Sequence, residues 1–141
     1  MAYQIKRSEK IVDALELCDE GGNVVTRLDI AVDIDSIAAE LRKRLVNVQN
    51  AEKLLKKAVS QEDYAAAYEL FGQTVNDVFS VCFGAENAQR IAEHFEGDFI
   101  GMSVAVVPYV YDVILPKVDE SLQRRREQLR NIYRSKGRKG R

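Results

Sequence analysis

The chain reads as an α+β protein, an N-terminal β-hairpin followed by a mainly α-helical bundle of about four helices. Two observations predict this. Apolar residues alternate with period two up to Ile34, and from Asp35 onward they recur at steps near 3.6. A third observation sets the scale. With 141 residues, 46% of them apolar and 30% charged, the chain suits one domain with its own core.

The hairpin is placed over residues 10–34. In Val24–Ile34 the even positions are Val24, Thr26, Leu28, Ile30, Val32 and Ile34, whereas the odd ones include Arg27, Asp29 and Asp33. One face is therefore apolar and the other wet. Upstream, Ile11, Leu15 and Leu17 share one face of a shorter strand, and Asp19–Asn23 between the two carries Gly21 and Gly22 for the loop. A lone two-stranded hairpin is marginal in water, so its apolar face must lie on helices. Its open edges can template another strand, which predicts a homo-oligomer.

The helices follow over about residues 35–134. Asp35 or Ser36 caps the first, with Ile37, Leu41, Leu45, Val48, Leu55 and Val59 as its stripe. Ser60 caps the second, whose stripe is Tyr64, Tyr68, Phe71, Val75, Val78 and Cys82, and Gly84 ends it. A short third helix, Ala85 to Glu96, carries Ile91, Ala92 and Phe95 and stops at Gly97. The run Phe99–Leu115 is nearly all apolar, and it predicts a central helix buried on all sides. Pro108 and Pro116 should each kink or interrupt it. The expected core includes Ile37, Leu41, Leu45, Phe71, Val75, Val78, Phe95, Val106 and Ile114. Residues 1–134 form the single domain, and residues 135–141 a basic flexible tail.

Composition narrows the function. Twenty-one basic and twenty-two acidic residues leave a net charge of −1, which excludes a chain that coats nucleic acid over its whole surface. Cys18 and Cys82 form no CxxC pair, and His94 is the single histidine, so neither a structural zinc site nor a histidine-based centre is expected. Asp29, Asp33 and Asp35 are the best carboxylate cluster, but the strand pattern sets Asp29 and Asp33 on the wet face. Cys82 with His94 would make a nucleophile and base, yet Cys82 falls on an apolar stripe. Gly21-Gly22 lacks the rest of a phosphate loop, and Gly97-x-x-x-Gly101 reads as helix punctuation. Phe99–Leu115 falls short of the roughly 20 residues a bilayer crossing takes. From Arg124 to Arg141 nine basic residues accompany one acid, Glu127, with little aromatic interleaving. The expectation is a non-enzymatic interaction protein of the cytoplasm, without cofactor or metal, in which neither a membrane nor nucleic acid is the partner.

Three stretches carry a family resemblance: Leu41-Arg-Lys-Arg-Leu-Val-Asn-Val-Gln-Asn50, Tyr64-Ala-Ala-Ala-Tyr-Glu-Leu-Phe71 and Val78-Phe-Ser-Val-Cys-Phe-Gly84. With the hairpin before them, over Glu9–Arg134, the chain resembles the tail assembly chaperones of long-tailed phages and prophages of Gram-positive bacteria. The resemblance implies a protein that binds the tape measure protein, keeps it soluble and helps recruit tail tube protein. It also implies absence from the finished virion, and it brings no active-site residues. The alternatives are a head–tail connector or other structural protein kept in the particle, and a small regulator holding nucleic acid through its basic C-terminus. For the client surface the pattern offers Val46, Leu54, Tyr64 and Tyr68, with Leu122, Leu129 and Tyr133 on the last helix as a second set.

Overall fold

The computed structural model describes residues 2–6 and 10–139, with side chains described as far as Arg134. The fold is α+β. Strands β1 (Lys10–Cys18) and β2 (Val24–Asp33) pair antiparallel from Lys10↔Asp33 to Leu17↔Thr26, and the register slips at Cys18↔Val24. Asp19 builds the loop. Its carboxylate accepts from the backbone N–H of Gly21 and of Asn23, both at 2.9 Å, and Gly22 supplies the positive φ of 83°. Leu28, Ile30 and Val32 are buried on the inward face, and Arg27 and Asp29 lie outside, as the alternation requires.

Helix α1 (Ile34–Lys57) follows β2 without a linker. The cap is Asp33, whose carboxylate accepts from Ser36 N–H at 3.4 Å, and not Asp35 or Ser36. The direct strand-to-helix join moves the helix start upstream, so the last strand residue does the capping. Helix α2 (Gln61–Phe83) opens at Ser60, whose hydroxyl accepts from Asp63 N–H at 3.1 Å, and ends at Gly84 with φ 90°. Helix α3 (Ala85–Phe95) ends at Glu96 and Gly97, both at positive φ. Val59, placed on the α1 stripe by spacing, lies beyond the helix and is almost wholly exposed.

From Asp98, which caps it by accepting from Gly101 N–H at 2.9 Å, one helical run extends to Lys139. It comprises α4 (Phe99–Tyr109), a π-helical turn (Val110–Ile114) and α5 (Leu115–Lys139). Neither proline interrupts it. Pro108 sits inside α4 and Pro116 at the second position of α5, and the π turn between them carries the run on, with Leu115 N–H donating to Val110 O. Together α4 and α5 fill the role of one last helix, so the hairpin is followed by four helices.

Helix α1 packs along α2 and α5, α2 along α3 and α4, and β2 lies on α2. Ile37, Leu41, Leu45, Phe71, Val75, Val78, Val106 and Ile114 are buried as expected. Phe95 is only half-buried, because it closes the last turn of α3 beside the hairpin loop. The larger correction concerns Phe99–Leu115. Met102, Val106, Val110 and Ile114 are buried, whereas Val104 is 71% exposed and Ile100 42%. The helix lies along one side of the bundle, so only the face turned to α2 and α3 is covered.

Two contacts hold α4 against α2. The Tyr68 hydroxyl donates to Gly97 O at 2.7 Å and accepts from Phe99 N–H at 2.9 Å, tying the α3–α4 turn to α2. Gly72 gives room to the Phe99 ring, since a Cβ there would collide with it. Tyr68→Phe should therefore lower stability by about 1 kcal/mol. Gly72→Ala should lower it by about 1–3 kcal/mol through overpacking. Urea unfolding followed by circular dichroism measures both, and an unchanged midpoint for either would contradict the packing described.

Candidate docking surfaces

The sequence candidates for chemistry are dispersed. Asp29 faces solvent beside Arg27 at 3.4 Å, Asp33 caps α1, and Asp35 turns to the last helix. Asp35 accepts from Ser121 Oγ and, in a two-pronged contact, from Arg125 Nε at 2.8 Å and Nη2. A second fork, Arg42 on Asp119 at 3.2 and 2.6 Å, joins α1 to α5 one step earlier. Cys82 is buried, which pushes its thiol up to about 12 and keeps it protonated. His94 is elsewhere, its Nε2 3.0 Å from Cys18 O and its ring edge-on to Phe95. Gly21 and Gly22 shape the hairpin loop, Gly97 the α3–α4 turn, and Gly101 the first turn of α4. Among the described residues no group of three His, Cys, Asp or Glu side chains could hold a metal ion.

Asp13 went unnoticed in the sequence. It lies on the inward face of β1 with Ile11 and Leu15, and its carboxylate accepts from the Tyr109 hydroxyl at 2.9 Å. Tyr109 is pushed up to about 12, first by burial and then by this hydrogen bond. Asp13 is lowered, first by Ala14 N–H and then by Tyr109.

The surface features are apolar. Between the second half of α1, the start of α2 and the outer face of α4 runs a groove of ≈ 640 Å³. Phe71 lies buried beneath it, Leu55, Tyr64, Ile100, Val104 and Val107 line it, and Glu52 and Lys56, 2.9 Å apart, sit at its rim. A second hollow of ≈ 390 Å³ lies between the end of α1 and the start of α2, lined by Leu54, Ala58, Ala66 and Leu70. Of the nominated positions, Val46, Leu54, Tyr64, Leu129 and Tyr133 are exposed. Leu122 is half-buried, and so is Tyr68, whose hydroxyl already serves Gly97 and Phe99. Ile100 and Val104 were missed because the run Phe99–Leu115 is apolar in every direction, so no period marks an outer face.

The last helix supplies the other surface. Every described side chain from Gln123 to Arg134 is exposed, including Leu129, Ile132 and Tyr133. Charge is sharply divided at this point. Residues 1–123 hold twelve basic and twenty-one acidic side chains, a net −9, and residues 124–141 hold nine basic and one acidic, a net +8. By length and composition alone, the helical run Phe99–Arg134 could cross a membrane; 22% of its most apolar window is buried.

No protein-family model, curated protein or solved structure matches the chain.

The Asp13–Tyr109 contact sets a pH dependence. Because the folded pKa of Tyr109 lies above its unfolded value, its contribution is fully present below about pH 10 and is lost as pH rises toward about 12. Unfolding free energy measured from pH 9 to 12 should fall less steeply in Tyr109→Phe than in the wild type. Equal slopes would contradict the assignment.

Proposed function

We propose that the protein is a non-enzymatic tail assembly chaperone. In this reading it binds the tape measure protein of a long-tailed phage or prophage in the host cytoplasm, keeps it soluble, and assists tail tube assembly around it. The observation that carries the reading is the apolar groove between α1, α2 and α4, open along the exposed face of Ile100 and Val104. A tape measure chain exposes apolar helical stripes until the tube encloses them. A groove with an apolar floor and charged rim receives such a stripe as a helix in a groove, apolar area supplying affinity and the rim supplying register. The resemblance of Leu41–Asn50, Tyr64–Phe71 and Val78–Gly84 to the chaperone family supports the same reading. A connector would remain in the particle; a chaperone leaves it.

The test is co-expression with a candidate client, a long tape-measure-like protein sought among the neighbouring genes, read by pull-down and by the soluble fraction of that protein. The reading expects a complex and a several-fold gain in soluble client, both lost in Ile100→Asp while the helical circular dichroism persists. A client equally soluble without this chain, or this chain recovered in washed membranes or finished particles, would contradict it.

A further inference from the structure

We infer that copies of this chain associate head to tail, the basic end of α5 in one copy docking into an acidic cleft at the hairpin-loop end of the next. The inference goes beyond the chaperone reading and does not depend on it.

The starting point is the free stripe of α5. Val118 and Leu122 face the bundle, and Leu129, Ile132 and Tyr133 continue the same side of the helix past its last contact. The stripe that binds α5 to its own body thus runs on uncovered, flanked by Arg126, Arg130 and Arg134. A second copy of the same end cannot cover it, because residues 124–141 of each bring a net +8. Nucleic acid would satisfy the arginines but leave three large apolar side chains wet. What fits is a surface both acidic and apolar, and this chain carries one.

That surface is a cleft of ≈ 760 Å³ lined by Cys18, Asp19, Glu20, Val25, Phe95, Glu96 and Asp98, with His94 beside them. Its carboxylates come from the hairpin loop and the α3–α4 turn. Val25, half-buried Phe95 and Cys18 supply the apolar part. The rest of the body adds to the attraction, since it holds a net −9.

Geometry makes the contact intermolecular. Asp98, before the first residue of α4, lines the cleft with the hairpin loop. Ser121 and Arg124 line a hollow with Lys10 and Ile11 at the other end of the hairpin. The helix therefore runs the length of the hairpin and past it, about 39 Å from Phe99 to Arg124 at 1.5 Å per residue, against the ~30 Å of a nine-residue strand. Beyond Arg124 the helix continues about 22 Å further to Lys139, from the end opposite its own cleft. A helix at one end and a cleft at the other make a heterologous contact, which builds rings or open chains.

Sedimentation of the full chain tests this. At tens of micromolar and about 50 mM salt, species larger than a dimer are expected, dissociating to monomer at about 500 mM as screening shortens. Leu129→Asp with Ile132→Asp removes the stripe, and Glu20→Lys with Glu96→Lys opposes the basic helix at the cleft. Each double variant should be monomeric alone, and a mixture of the two should give a 1:1 dimer, since one keeps the cleft and the other the helix. A monomeric wild type at low salt, unaffected assembly in either variant, or a mixture of folded variants that stays monomeric would overturn the inference. So would a monomeric wild type that binds a duplex of about 20 base pairs in a salt-dependent way. If a variant loses its helical spectrum, Tyr133→Cys decides. Cys82 is buried and Cys18 is exposed in the cleft, so mild oxidation should link Cys18 of one copy to position 133 of another. No link, or links only between two copies of position 133, would refute the contact.

Discussion

The helix beginning at Phe99 has more apolar surface than the body beside it can cover, and the rest of the structure is arranged around that imbalance. Met102, Val106, Val110, Ile114 and Val118 form its buried line, each 7% exposed or less. Helices α2 and α3 pack on the first part of this line and α1 on the last. The π turn at Val110–Ile114 lies where one set of neighbours gives way to the other, between the two prolines that remove backbone donors. Among the described residues the sheet has two strands and does not cover the far side, so Ile100, Val104 and Val113 stay in water. An outer face this apolar is unusual for a chain that acts alone.

Much of this was legible in the sequence where a local rule decides the outcome. Period-two alternation located Leu28, Ile30 and Val32, and Ser60 and Gly84 marked both ends of α2, because caps and alternation act within a few residues. The rest depends on partners far away in the chain. Asp35 resembled a helix cap until Arg125, ninety positions on, took its carboxylate and Asp33 took the cap. Asp13 interrupts an otherwise apolar face because Tyr109 approaches it. The groove draws on three helices and the acidic cleft on two turns, and no window of sequence contains either. The uniform Phe99–Leu115 run hid its own open face, since a stretch without a polar side has no period to read.

Two surfaces of different character result. The groove is apolar with a balanced rim, so contacts there should be nearly indifferent to salt and driven by buried area. The α5 end and the acidic cleft carry opposite net charges, so contacts there should weaken as salt rises. They use separate residues, and a client in the groove leaves α5 free. On the proposed chaperone reading, the two surfaces together line several copies along an extended client, each holding one stretch of helix.

The account rests on α4 having one covered and one open face, and a pair of substitutions two residues apart measures this directly. Equilibrium unfolding should change by no more than about 0.5 kcal/mol in Val104→Asp, because that side chain is 71% exposed. Val106→Asp, which places a charge at a position 7% exposed, should cost several kcal/mol or prevent folding. A loss in Val104→Asp as large as that in Val106→Asp would mean the outer face is buried in the protein's own fold, and the groove would not be a surface for any partner.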